Sequence, residues 1–569
     1  MDEKIGTELN IALNTPEDIR TKSLDLNTGY DKELDVWELI IKYTGDIDEI
    51  ASEYNSLATK LLGGFGIISI SEDAILELAR DSRIIYIEKP KNFIQSRTSI
   101  NGFVSSCMSV PYFELNLKGN GMTVAIIDSG IDIFHDEFID IINDMDSSIN
   151  VSKIIGLWDQ TIYGNPPNNY NIGSYFPNED INSALNVVNG EITFDSVDIT
   201  GHGTAVAGIV SACVPEAKLL IVKLDTKDKD EIDTINLMQG IDFAVRYSID
   251  NNLPMVVNLS YGNNSGDHNG NSVLERYIDQ VSQLSKLTFV IGTGNDGVAG
   301  NHVQFNIDEE KIYRSEFVVP EGEGGISIQI WRDYQEQMDV SISTPSGDVI
   351  GPFYEYQKLM NYNVGNMDIR VLNNGPTPIN KAYETYISII PLNNYLEGGI
   401  WSIDINPGSI VNGRVDIWLP VEGSTNTDVY FLNPSEGATL TIPSTSINSI
   451  SVGGYDSNTM SYASFSGRGF TVDGLIKPDI VAPGVNIDVP SVGGGYNIVS
   501  GTSFATPFVA SGAVMLMQYG IIDGNDPFLY GEKVKAYLIL GAFSLPGIDT
   551  VPDPRIGWGA LCVENSLPI

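Results

Sequence analysis

The chain has 569 residues, of which 42% are apolar and 19% charged, enough to bury a large core and too apolar for a disordered chain. At roughly 150 residues per domain, the length suggests three or four domains. Asp and Glu number 74 against 32 Lys and Arg, a net charge of −42, which argues against a nucleic-acid or membrane-surface binder and is compatible with basic partners or Ca²⁺. Cys107, Cys213 and Cys562 form no C-x-x-C pair, so neither a disulfide framework nor a structural zinc site is expected. The N-terminus MDEKIGTELN lacks a basic region followed by an apolar run, so no secretory signal is expected. No apolar stretch reaches the roughly 18 residues of a membrane span. VASGAVMLMQYGII falls short and contains Gln518. The expectation is a protein without a transmembrane segment, made and kept on the cytoplasmic side.

Residues 1–32 lack periodicity and are expected to form a loose arm. Residues 33–92 then alternate strand and helix. ELIIKYTG, LLGGFGIISIS and RIIYIEK read as strands, with DIDEIASEYNS and EDAILELARDS as helices between them, a small α+β unit. Residues 90–120 read mainly as loop. MTVAII (122–127) is an uninterrupted apolar run, the pattern of a parallel strand covered on both faces. AKLLIVKLD, PMVVNLSYG and LTFVIGTGND repeat it, with helical GTAVAGIVSA and TINLMQGIDFAVRYSID between, so a doubly wound α/β domain is expected. From 303 to 434 short alternating runs such as GGISIQIW, MDVSIST and GRVDIWLP predict an inserted all-β sandwich or jelly roll. The α/β texture returns with SINSISVGGYD and GTSFATPFVASGAVMLMQYG. The predicted division is 1–95, 96–302, 303–434 and 435–569.

Ser503 stands in S-G-T-S-F-A-T-P, after a Gly-rich loop and at the start of an apolar helix. Backbone N–H groups and the positive dipole end there are placed to stabilise an oxyanion. Pro507 is expected in the helix's first turn, where its missing N–H is not needed. A hydroxyl needs a base to become a nucleophile. The chain has only His135, His202, His268 and His302 to offer. His202, in D-I-T-G-H-G-T-A-V-A-G, opens a helix and has small neighbours. Asp128 ends the strand TVAIID, at the edge where α/β sheets bind ligands, and can orient an imidazole. Taken singly, each motif has an ordinary explanation as a turn or a helix cap. The order Asp…His…Ser joins them.

AIIDSGID around Asp128, GHGTAVAGI around His202 and GTSFATPFVASG around Ser503 resemble the subtilisin-like serine proteases. VVNLSYG, GTGNDG, KPDIVAPG and GWGALCVENS extend the resemblance over about 100–300 and 440–569. It implies Ser503 as nucleophile, His202 as general base and then acid, Asp128 as its orienter, and Asn295 with the Ser503 N–H as oxyanion hole. It implies that Leu259, Ser260, Tyr261 and Gly262, with Gly292, Thr293 and Gly294, pair with substrate backbone and wall the P1 pocket. Asp296 would favour a polar or basic P1 residue. His135 would be structural, and His268 and His302 lie in loops with no visible partner. No cofactor is required. Structural Ca²⁺ is compatible with the family, but no EF-hand-type loop is present from which to assign ligands.

The unit at 33–92 resembles the family's inhibitory propeptide, with self-cleavage expected at Gln95–Ser96 or, nearby, Arg97–Thr98. The propeptide, the β insert and the Asn/Ile/Asp-rich composition resemble the germination-specific subtilases of clostridial spores. That implies a spore protease whose partners are a cortex-hydrolase zymogen and its own propeptide, which in that group can stay bound after cleavage, with no nucleic acid. A general intracellular subtilase and a propeptide-occluded signalling or binding module stand as the alternatives.

Overall fold

The structure is a computed structural model that describes residues 3–23, 25–95, 106–144, 147–187, 194–225 and 232–568. Its centre is a nine-stranded sheet. Across it run Ser174–Pro177, Ile154–Asp159, Lys218–Lys223, Thr123–Asp128, Met255–Leu259, Leu287–Gly292 and Ile450–Asp456, with Ser461–Tyr462 and Ile480–Pro483 both on the last of these. Neighbours from Ile154–Asp159 onward pair in parallel, apart from Ser461–Tyr462. Side chains alternate between faces, and each face has its own core. Val124 and Ile126 pack with the helices His202–Cys213 and Thr502–Met517, while Ala125 and Ile127 pack with Thr234–Asp250 and Val273–Val281. Burial on both faces is why these strands read as unbroken apolar runs.

The apolar stretch judged too short in the sequence belongs to a longer helix. The segment Thr502–Ile522 is long and apolar enough to cross a membrane, but 83% of its apolar window is buried inside the protein, which makes it the core helix of the sheet.

The N-terminal unit is a five-stranded antiparallel sheet in which Val36–Tyr43 is flanked by Phe65–Ile70 and Ile84–Glu88. Helices Ile47–Glu53 and Glu72–Arg80 cover it, matching the alternation expected. The loose arm is not observed. Residues Thr7–Leu13 form a helix whose Leu9, Ile11 and Ala12 are fully buried beside Leu372, Tyr386 and Ile390. Its polar Thr7, Glu8 and Asn10 are buried too, so no amphipathic stripe betrays it.

Between His302 and Phe431 the chain forms two antiparallel sheets around one apolar core, one of six strands and one of five. The six-stranded sheet carries the contacts of the N-terminal helix, through Met367–Asn374 and Tyr383–Pro391. The root of this region is an aromatic stack. Trp418 lies between His268, 4.2 Å away, and His302, 4.7 Å away. Two of the three cysteines meet after all. Cys107 and Cys562 form a disulfide across 455 residues, tying the start of the α/β region to its end.

Candidate active site

Asp128 is the last residue of its strand, and His202 is the first of its helix. Gly201 caps that helix in the left-handed region, φ 76°, a conformation glycine takes at little cost. Gly203 passes so close to the Gly130 carbonyl that an added Cβ would lie 2.2 Å from its oxygen. Two glycines thus press the helix start onto the strand end. Asp128 Oδ1 accepts from His202 Nδ1 at 2.8 Å and from the Ser129 N–H at 2.7 Å, with both side chains buried. Nδ1 then carries the ring proton, and Nε2, which has no hydrogen-bond partner, holds the lone pair.

Asp198 completes this arrangement, a role the sequence did not suggest. Its Oδ1 accepts from Ser129 Oγ and Gly201 N, at 2.8 and 2.9 Å, and its Oδ2 from Thr204 N and Oγ1, at 2.9 and 2.7 Å. Ser129 Oγ in turn accepts from Gly203 N at 2.9 Å. The carboxylate locks strand end and helix start together. Its only sequence signal is its place four residues before His202.

Ser503 is the second residue of Thr502–Met517, where backbone N–H groups lack helical partners. Its Oγ donates to the Ser260 carbonyl at 3.5 Å, and no hydrogen bond joins it to His202. Pro507 lies in the second turn rather than the first. It leaves the Ser503 carbonyl without its helical donor, and Ser260 Oγ donates to that carbonyl at 3.4 Å. Asn295 is fixed through its oxygen, which accepts from Thr502 N and Oγ1 at 3.1 and 3.2 Å, while its buried Nδ2 has no partner. Four side chains expected from the sequence therefore meet at one end of the sheet. A cleft of about 550 Å³, lined by Thr200, His202, Val492 and Phe504 among others, opens beside them.

The segment Asn92–Gln95, read from the sequence as loop, is a strand. It lies antiparallel between Ile232–Asp233 and Tyr261–Gly262, with Gln95 opposite Tyr261. Asn92 and Phe93 pair with Asp233 and Ile232, and Ile94 and Gln95 with Gly262 and Tyr261. Ser96, Arg97 and Thr98 lie outside the described residues, and with them both expected cleavage bonds. Tyr261 and Gly262 form one wall of this groove, and Ser260 reaches Ser503. Leu259 does not face the groove. It is the last residue of a central strand, paired with Ile127 and Ile291 and buried in the core. Gly292 packs against Thr502 and Thr506, and the Thr293 and Gly294 carbonyls accept from Thr441 N and Gly467 N.

Asp296 turns away from the groove. It is buried with Asn264 and Asn301 donating to it, and burial pushes its pKa up to about 6. It braces the root of the β region and is not placed to read a P1 side chain. The remaining histidines are structural. His135 Nε2 contacts the Gly495 carbonyl at 2.9 Å. His302, expected to lack a partner, faces Asp416 at 3.0 Å. His268 contacts the Leu440 carbonyl at 2.6 Å, and burial lowers its pKa to about 4. Among the described residues no three His, Cys, Asp or Glu side chains converge as a metal site.

Known proteins place these observations. The subtilase family model matches residues 119–312 and 351–559. The model of the Csp protease B prodomain matches residues 3–91. The solved structure of the CspB protease of Clostridium perfringens aligns with a TM-score of 0.73 at 33% identity, covering 81% of this chain and 95% of that one. The serine protease AprX of Bacillus subtilis is 36% identical over 154 residues, 23% of this chain and 33% of AprX. The PII-type proteinase of Lactococcus lactis is 25% identical over 475 residues, 74% of this chain and 23% of that protein. The chain thus spans no more than a third of these two relatives.

Proposed function

From the premise that the chain belongs to the subtilase family, we propose that it is a serine endopeptidase that cuts its own prodomain free. The observation that carries this is the lay of Asn92–Gln95, paired with Tyr261–Gly262 and leading toward Ser260 and Ser503. A peptide held this way presents its next bonds to the nucleophile.

In the proposed acyl transfer, Ser503 Oγ attacks the scissile carbonyl while His202 Nε2 takes its proton. Asp128 holds the ring so that Nδ1 keeps its proton and the imidazolium is stabilised. The tetrahedral oxyanion accepts from Asn295 Nδ2 and the Ser503 N–H. His202 then protonates the leaving amine, and the open cleft beside it accommodates the chain beyond the cut. Water repeats the sequence on the acyl-enzyme. No cofactor takes part. Structural Ca²⁺ stays compatible with the acidic surface.

The likeness to CspB along most of the chain supports a narrower reading. The prodomain stays docked after cleavage, the inserted β region is a jelly roll that clamps it, and the substrate is a cortex-hydrolase zymogen in the germinating spore. The intact mass of the wild type beside Ser503→Ala tests the core of the proposal. The wild type should split near Gln95–Ser96 and the variant stay whole. An unsplit wild type would favour the occluded signalling module instead.

A further inference from the structure

The three cysteines divide into one inert thiol and one bonded pair. Cys213 is buried in the core, and burial pushes its thiol up to about 12, too far for exchange near neutral pH. Cys107 and Cys562 are bonded to each other. Cys562 is 3% exposed, whereas Cys107 is partly exposed, so a small thiol reaches the bond from the Cys107 side. Cys107 stands at φ 49°, a left-handed conformation that residues other than glycine seldom adopt. Two backbone hydrogen bonds tie its surroundings to the far end of the chain. Val563 N donates to the Ser106 carbonyl at 3.0 Å, and Glu564 N to the Cys107 carbonyl at 3.2 Å. The buried Ser106 Oγ has no partner. A short helix, Ser109–Phe113, follows, and the chain enters the central sheet at Thr123. Across the bond, Val563 lies against the helix that carries Ser503, where a Cβ built on Gly512 would lie 3.0 Å from it.

Position along the chain gives this bond its use. In the uncut chain Cys107 is tethered from both directions, through Gln95 in the groove and through the central strand at Thr123. Cleavage beyond Gln95 removes the first tether and leaves Cys107 within about a dozen residues of a new amino end.

We propose that Cys107–Cys562 is a redox site at which a low-molecular-weight dithiol sets the stability of the processed enzyme, the disulfide standing in for the tether that self-cleavage severs. This rests on the protease reading above. A reagent thiolate attacks the Cys107 sulfur, the S–S bond breaks, and Cys562 leaves as a thiolate that takes up a proton. The reagent's second thiol then displaces Cys107 from the mixed disulfide. Two cysteine thiols form, and the dithiol leaves as a cyclic disulfide. With the bond open, Cys107 relaxes from its left-handed φ, and Ser106–Phe113 separates more readily from Val563–Ser566. The uncut chain feels this less, because the groove strand still holds the other end of the segment. The triad takes no part in the exchange, so each folded molecule keeps its activity while its lifetime follows the redox state of its surroundings.

The test uses the full chain, cut as the wild type and uncut as Ser503→Ala. Alkylation of the unfolded protein should label one thiol in the oxidised form and three after dithiothreitol. Dithiothreitol should lower the melting temperature of the cut protein by roughly 5–15 °C, and that of the uncut protein by less than half as much. Peptide hydrolysis well below the melt should be unchanged. Cys107→Ser combined with Cys562→Ser should melt like the reduced wild type and ignore dithiothreitol. Should that variant not fold, the dithiothreitol shifts of the wild type and Ser503→Ala decide alone. Three labelled thiols before reduction would overturn the proposal. So would equal shifts in cut and uncut protein, which would make the bond an ordinary structural staple. A wild type that stays whole fails on the protease reading and takes this proposal with it, whereas a cut wild type with equal shifts fails on this proposal alone.

Discussion

Two buried polar clusters in this chain are wired in opposite ways. Where the prodomain meets the β region and the α/β domain, the charges have partners. Lys89 pairs with Glu8 at 3.1 Å, Lys91 with Glu88 at 2.9 Å, and Lys91 Nζ also reaches the Ser265 carbonyl at 3.2 Å. Arg370 bonds Asp368 and, at 3.2 Å, the Asn14 carbonyl. At the active site, the supporting atoms are bonded while His202 Nε2 and Asn295 Nδ2 have no partner. In the proposed mechanism this unspent donor and acceptor are the two groups that a substrate completes. The junction is built to hold, and the site to receive.

The largest expected effect is at the junction. Lys89→Met would leave Glu8 charged and buried. At present burial works against the Glu8 carboxylate, but the charges of Lys89 and Lys91 hold its pKa below the usual range. Breaking such a pair costs about 3–5 kcal/mol, and replacing both partners by apolar residues recovers much of it. The cleaved prodomain of Lys89→Met should therefore separate on a native column, whereas Glu8→Leu combined with Lys89→Met should hold it. Unchanged retention in the single variant would mean that the pair is not part of the clamp.

Asn295→Ala tests the other cluster. It removes one oxyanion donor together with the acceptor of the Thr502 N–H and hydroxyl, so kcat should fall by at least about 10²–10³-fold, some 3–4 kcal/mol, with KM nearly unchanged. Self-processing slows by the same factor if that step follows kcat, and a mass-resolved time course reads it. A variant that processes at the wild-type rate would leave the unspent amide without a role.

What the sequence disclosed follows the same division. The α/β domain was legible because its strands are buried on both faces and its chemistry sits in short motifs. Asp128, His202, Asn295 and Ser503 each carry a local signal, and the fold brings them to one edge. The junction left no such trace. Thr7–Leu13 is buried nearly all round, so it has no stripe, and its Thr7 and Glu8 are satisfied by groups far along the chain. Asn374 donates to Thr7 across 367 residues. Cys107 and Cys562 pair across 455 residues, a distance over which spacing says nothing. Asn92–Gln95 is a strand only because two separate segments flank it.

Glu384 gives the smallest effect, and one with a definite sign. It lies at the junction, accepting from Thr7, and burial pushes its pKa from 4.5 up to about 7, with Glu8 and Glu88 adding to the rise and Lys91 opposing it. The docked state thus keeps a proton that the undocked chain loses above pH 4.5. The stabilisation is whole below that pH, fades as pH rises toward about 7 and is gone above it, on the order of 3 kcal/mol in all. Glu8 is shifted the other way, so its contribution is lost only below pH 4.5, outside this window. Lys91, shifted upward, titrates far above it. Asp25 is raised by burial and has the same sign as Glu384, but from a starting value of 3.8. Between pH 5 and 7 the prodomain should therefore bind more weakly with each step upward and level off above that, and Glu384→Gln, which stays neutral, should flatten most of that slope. Identical slopes in the two proteins would place the proton elsewhere and make the junction a clamp indifferent to pH.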